Sequence, residues 1–526
     1  MNRRQILGSA AALLAAPSLA QAQASRTLRF VPQADLSGMD PIITTRQVVR
    51  NGAFLVWDTL YGVGADFEPR PQMCEGHLVE DDGKSWTFTL RQGLKFHDNE
   101  PVRAIDCVAS INRWMGADVM GRRLAAVLAA IEVLDDRRFR LRLNRPFPKL
   151  LLAFGKVTTN TLFIMPERIA RTDRSRNITE YVGSGPMVFR RDEWVPGASA
   201  AFERFQGYVP RDEPADWMAG GKRMLLDRVE WVTMPDASTA AAALRRGEID
   251  WWEQPIPDLA ASLRAARDVL IDIADPLGNV AVLRFNQTFA PFTDVRLRRA
   301  FQAAVKQEDY MGAVVGGDPA LWKPMPSFFT PGAPLYTEAG SEPLLRPRDM
   351  NLAKRLIAES GYNGEALVLP SANDMPVVKA QAEITADLMQ QMGLKVDLLA
   401  MDWGAHSTRT ASKQPAHSGG WHVSHTWVAG AECASPAGHK SLDGSGETLT
   451  NGWARSAAVQ TQIDAWFDAT TAPAERVAVD AANRAAMESV MFIPAGFFLN
   501  YTAWRRNVTG IAKSPFPCFW GVGKAR

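Results

Sequence analysis

The chain has 526 residues, 46% of them hydrophobic, and 59 Lys and Arg against 57 Asp and Glu leave a net charge of +2. A balance this close to neutral implies neither a nucleic-acid partner nor a charged membrane surface. Single hydrophobic cores stop growing at about 250–300 residues, so this length predicts two or more lobes.

Reading from the first residue, the basic pair Arg3-Arg4 precedes an apolar run from Ile6 to Ala16, followed by Pro17 and small residues to Ala24. This is the layout of a cleavable export signal over residues 1–24. The run is 11 residues long, against about 20 for a membrane-spanning helix. Ala22-Gln23-Ala24 is the preferred cleavage site, and the paired arginines fit twin-arginine export, with the general secretory route as the alternative. No cysteine lies near the site to carry a lipid, so the expected product is free in the periplasm. Beyond residue 24 no stretch is apolar and long enough to cross a bilayer.

Trp86-Thr87-Phe88-Thr89-Leu90 and Phe139-Arg140-Leu141-Arg142-Leu143 alternate apolar and polar residues, as half-buried strands do. Between them Ala104, Val108, Ile111 and Met115 recur at helical spacing, which predicts an α+β unit over roughly 68–180. Strand Val229 to Met234, helix Ser238 to Arg246 stopped by Gly247, and strand Ile249 to Trp252 then predict a parallel pair. The order returns with a strand from Ala366 to Leu369, a helix from about Pro376 to Met392 stopped by Gly393, and a strand from Leu394 to Ala400. After Asp294, the residues Leu297, Ala300, Phe301, Ala304 and Val305 trace the buried stripe of another helix. The Gly/Ser/Thr-rich stretch from Ser441 to Asn451 reads as a loop. The cysteines Cys74, Cys107, Cys433 and Cys518 are too few for a disulfide scaffold and leave one or two bridges open.

Five blocks in order carry a resemblance. They are Trp86 to Pro101 followed by Ala104 and Asp106; Gly183-Ser-Gly-Pro186; Ala243 to Asp250; Asn286 with Pro291 to Ala300; and Ala353 to Tyr362. Together they resemble the extracytoplasmic peptide, nickel and opine binding proteins of ABC importers, over nearly the whole chain after the leader. Asn99 stands where that family usually has glycine, and asparagine is the next best residue for a left-handed turn. The resemblance implies a two-lobed α/β periplasmic binding protein fold with an extra α+β subdomain and a ligand cleft between the lobes. It places lobe I at 25–67, 183–278 and 495–526, the inserted subdomain at 68–182 and lobe II at 279–494, with hinge crossings near Asn279 and Pro494.

What the resemblance implies for function is capture of a small-molecule ligand and its delivery to ABC permease subunits. It implies a monomer, with no cofactor, no catalytic residue and no nucleic-acid partner. Peptide-binding members hold a free amine with an aspartate shortly after a tryptophan, because a buried ammonium needs an opposite charge beside it. The matching stretch, Trp427-Val-Ala-Gly430-Ala-Glu432-Cys433, has no aspartate and offers Glu432 instead. A ligand without an anchored amine, such as an acyl, opine-like or sugar-derived compound, is therefore favoured over a dipeptide. Candidate ligand contacts are Trp427, Trp252 and Trp403 as apolar walls, Asn286 as a hydrogen-bonding amide, Glu253 as a partner for a cation, and Thr45 and Met39 in the loop after the first strand. Five histidines, His406, His417, His422, His425 and His439, cluster with Cys433 and raise a metal-chelate alternative. On a strand, His422 and His425 are an odd number apart and face opposite ways, which argues against a shared ion. No Gly-x-Ser-x-Gly elbow and no His-Glu-x-x-His helix is present. Gly183-Ser184-Gly185 is the nearest thing to a nucleophile turn and reads better as a strand-end crossing.

Overall fold

The first ordered strand, Thr27–Val31, carries alternate buried side chains and becomes the middle of a seven-stranded sheet. In a computed structural model describing residues 26–446 and 451–525, the order is Val269–Asp272, Thr502–Arg505, Trp251–Trp252, Thr27–Val31, Arg228–Val232, Ser199–Arg204 and Met187–Phe189. The export signal expected at 1–24, and part of the loop expected at 441–451, lie outside the described residues. The predicted strand-helix-strand unit is present, with Asp236 capping helix Ala237–Arg246 and Gly247 closing it at φ 77°. Its two strands do not pair with each other. Thr27–Val31 lies between them, parallel to both, so a strand from far up the chain completes the unit.

The inserted unit is a four-stranded antiparallel sheet ordered Cys74–Glu80, Ser85–Leu90, Arg138–Leu143 and Leu128–Val133. Phe88 and Phe139 are cross-strand partners, stacked at 5.2 Å, so the two sequence-predicted strands meet directly. Helix Ala104–Met115 covers this sheet with Ala104, Cys107, Ile111 and Trp114, while Val108 and Met115 are only half-buried. The buried stripe is thus rotated from the predicted one, because Trp114 is the larger apolar side chain and takes the core. Asn99 adopts the left-handed conformation at φ 69° that its turn position requires.

A second sheet, Trp322–Lys323, Ile493–Phe498, Asn279–Phe285 and Val423–Ala429, is antiparallel throughout. Beside it, Leu367–Ala372 and Val396–Met401 pair in parallel around helix Pro376–Gln391, as the spacing predicts. Helix Val295–Ala304 buries Leu297, Ala300, Phe301 and Ala304. Because Ile493–Phe498 belongs to this sheet and Thr502–Arg505 to the first, the return crossing lies at 499–501. Pro494, expected at the crossing, is instead inside a lobe II strand. The outward crossing runs from Asp272 to Asn279.

The inserted unit leans on lobe II. Phe147 stacks on Phe467, the Arg123 guanidinium lies 3.9 Å from the same ring, and Arg145 pairs with Asp468 at 2.8 Å. Thr159 donates to Glu432 at 2.8 Å, and Lys440 reaches Thr159 and Asn160. The lobes are therefore closed on one another. All four cysteines are buried and unpaired.

Candidate ligand site at the hinge

Both crossings between the lobes run past one cavity. Its wall includes Gln47 and Arg50 from helix Gln47–Val56, the strand end Trp251 with Glu253 and Gln254, the crossing residues Asp275, Gly278, Asn279, Asn500 and Thr502, and the C-terminal turn at Ser514 to Pro517. The helix is apolar from Val48 to Val56 except for Arg50 and Asn51, both buried.

Arg50 donates from Nε and Nη2 to Asn51 Oδ1 at 3.2 and 2.9 Å, from Nη1 to Val157 O at 3.3 Å, and from Nη2 to Pro515 O at 3.3 Å. These acceptors are all neutral. Burial lowers the Arg50 pKa, and the fields of Glu432, Asp275 and Glu253 oppose that shift. On the same wall, Glu253 accepts from Gln33 N at 2.7 Å and from Asn51 Nδ2 at 3.3 Å. Asp275 accepts from Leu277 N at 2.8 Å. Both carboxyls are half-buried, and desolvation pushes each up to about 7. Asn51 therefore stands between a cation and an anion, its oxygen toward Arg50 and its nitrogen toward Glu253. Trp251 closes the floor, its indole Nε1 donating to Thr502 Oγ1 at 2.7 Å.

The sequence-predicted residues separate into four groups. Glu253 lines the cavity. Trp427 and Trp403, both half-buried, approach each other at 6.1 Å in lobe II, and Trp403 stacks on His406 at 5.1 Å. Thr45 is exposed on the rim loop. Met39, Trp252 and Asn286 are placed differently from expectation. Met39, 1% exposed, packs in the lobe I core, with its sulfur against Gly52. Trp252 packs on the opposite face of its sheet, with Ala240, Leu244 and Leu263, because side chains alternate along a strand and Trp251 takes the cavity face. Asn286 follows the far end of strand Asn279–Phe285, away from the crossing. Its amide is committed to Trp421 O at 3.1 Å and Thr288 N at 3.1 Å.

Gly430 explains why the stretch after Trp427 carries no aspartate at this point. Its N–H donates to Gly278 O at 2.7 Å, and a Cβ there would lie 1.7 Å from Leu277 O. Backbone of the outward crossing fills the space that a side chain would need. Glu432 instead points to the inserted unit and holds Thr159.

The histidines do not converge. His422 Nδ1 accepts from Val368 N, His425 lies between Gln381 and Thr385, and His439 bonds Phe328 O. Burial lowers all three, His425 to about 3. Among the described residues no group of three or more His, Cys, Asp or Glu is arranged to hold a metal ion. Ser184 is buried and donates to Ile164 O at 2.8 Å while accepting from Asp58 N, which is a crossing contact with no histidine partner.

Sequence reasoning missed Arg50, Trp251 and Asp275, which line the cavity, and Asn51, which bonds Arg50 and Glu253 from behind the wall. A legible signal existed for Arg50 and Asn51, since Arg-Asn interrupts the otherwise apolar run Val48 to Val56 and a buried charge on a helix needs a reason.

Residues 68–431 match the model of bacterial extracellular solute-binding proteins, family 5, middle region. A Sinorhizobium fredii protein named "probable peptide ABC transporter periplasmic-binding protein" is 32% identical over 525 residues, covering 98% of each chain. A glutathione-binding protein of Salmonella typhi is 26% identical over 429 residues, covering 80% of this chain and 78% of its own. Among solved structures, the Helicobacter pylori periplasmic binding protein DppA in complex with a peptide aligns over 95% of this chain and 98% of its own, with TM-score 0.79 and 22% identity. The A. tumefaciens binding protein in complex with agropinic acid aligns over 95% of this chain and 99% of its own, with TM-score 0.76 and 21% identity. The chain belongs to family 5 of the bacterial extracellular solute-binding proteins.

Proposed function

We propose that this protein is the periplasmic solute-binding component of an ABC importer and captures a peptide-like organic solute in the hinge cavity. The carrying observation is that both crossing segments contribute to one cavity lined by Arg50, Glu253 and Asp275, which interact through their fields but form no direct ion pair among the described residues. Contacts that a ligand makes with both lobes exist only when the lobes are closed, so a ligand shifts the open-closed balance by its differential affinity for the closed form. The protein is exported by its leader, released without a lipid, acts as a monomer without cofactor or catalysis, and hands its cargo to the permease. Lobe I comprises 25–67, 183–278 and 499–526; the inserted subdomain is 68–182, and lobe II is 279–498. The name of the S. fredii relative and the peptide bound in the DppA complex support a peptide-like cargo.

Small-angle scattering with and without a dialysable peptone fraction tests the reading. The expected result is a smaller radius of gyration with peptone and a melting temperature raised by the equivalent of about 2.7 kcal/mol at 100 times the dissociation constant. An unchanged radius and melting temperature would count against it.

A further inference from the structure

Most buried cations among the described residues are matched by a carboxylate, the exceptions being Arg50 and Arg298, the latter on the carbonyls of Phe292, Thr293 and Ser489 rather than in a cavity between the lobes. Arg113 pairs with Asp40 at 2.7 Å, Lys222 with Asp58 at 2.7 Å and Lys156 with Asp118 at 2.8 Å, each side chain under 5% exposed. Arg50 is 3% exposed and lines the hinge cavity, yet among the described residues no carboxylate lies within 4.0 Å of it. Across the same cavity, Glu253 and Asp275 have backbone and amide donors but no basic side chain within that distance. A charge taken out of water costs several kcal/mol, on the order of a whole protein's net stability, unless an opposite charge meets it. Asn51 keeps the two signs from collapsing onto each other, since its amide is bonded to both.

We propose that the hinge cavity receives an α-amino-acid head group, with its carboxylate on Arg50 and its ammonium on Glu253 and Asp275. This rests on the solute-binding reading above and names the part of the solute that is recognised. Spacing supports a head rather than a whole peptide. One side-chain amide bridges the cation and the anion, with Asn51 Oδ1 2.9 Å from Arg50 Nη2 and Asn51 Nδ2 3.3 Å from Glu253 Oε1. In an extended dipeptide the free amine and carboxylate are separated by about two residue lengths, roughly 7 Å, too far apart for this spacing. An α-amino-acid head puts both charges on one carbon, matching a cation and an anion separated by a single side-chain amide. The rest of the solute leaves past Gln254, Asn279 and Asn500, which are among the other residues of the wall.

The test compares three probe pools on the full protein by isothermal titration: free amino acids with γ-glutamyl amino acids, which keep the head intact; free α-dipeptides; and the first pool N-acetylated. The expected result is that the first pool binds at least tenfold tighter than the other two. In Glu253→Gln the penalty for acetylation shrinks to under threefold. A ratio between pools is read, so a general loss of stability in the variant does not imitate it. Dipeptides binding as tightly as the first pool, or acetylation without effect, overturn the head-group assignment and leave the peptide-like reading standing. Silence from all three pools overturns both.

Discussion

Glu253 is the residue at which electrostatics and function meet. Its carboxyl rises from the ordinary range to about 7 because burial disfavours the charged form, opposed by Gln33 N and the Arg50 field; the Asn51 amide bonds it, and Asp275 shares the same cavity wall. An acid with a raised folded pKa is neutral in both states well below pH 4 and costs nothing there. As pH rises from about 4 to about 7, the unfolded chain ionises freely while the folded one resists, so stability is lost across that window. Glu253→Gln removes the loss. The melting-temperature advantage of Glu253→Gln over the native protein should therefore grow from pH 4.5 to pH 7 and level off above it, at roughly 1–3 kcal/mol. A difference that is flat with pH would mean that the carboxyl titrates normally. The native protein's loss should also vanish when a cationic solute group occupies the cavity.

At the scale of elements, the two short backbone approaches at the crossing decide what the site can be. Gly430 lies against Leu277 and Gly278, and any Cβ must displace crossing backbone. Gly430→Ala should cost about 1–3 kcal/mol in urea unfolding, whereas Gly361→Ala, with nothing near its Cβ, should stay within about 0.5 kcal/mol. Equal effects would contradict the packing argument. The strands at 85–90 and 138–143, the helix stops at Gly247 and Gly393 and the left-handed Asn99 were all legible, because alternation, helical period and positive φ are local properties. The partner of Thr27–Val31 was not legible, since pairing across some 200 residues leaves no mark on period. The site was legible only in part. Glu253 follows a strand end and announces itself, but Trp251 and Trp252 are adjacent in sequence, and only the sheet's orientation says which one meets the cavity. Asn286 misled for the same reason in reverse: it ends the right strand at the wrong end.

Across the whole molecule, the inserted unit acts as the upper jaw. Its contacts with lobe II, through Phe147, Arg123 and Thr159, hold the closed arrangement on the side of the inserted unit, while the cavity lies at the hinge. Closure driven by a solute requires that the solute contribute what the closed protein lacks, namely counter-charges for Arg50, Glu253 and Asp275. The most direct test is mass spectrometry of small molecules released by denaturing protein purified from periplasm without added ligand. The account predicts an amino-acid- or peptide-like compound, approaching one per chain in the native protein and largely lost from Arg50→Gln. Recovery of a sugar, a lipid or a metal chelate with no amino-acid moiety would contradict it.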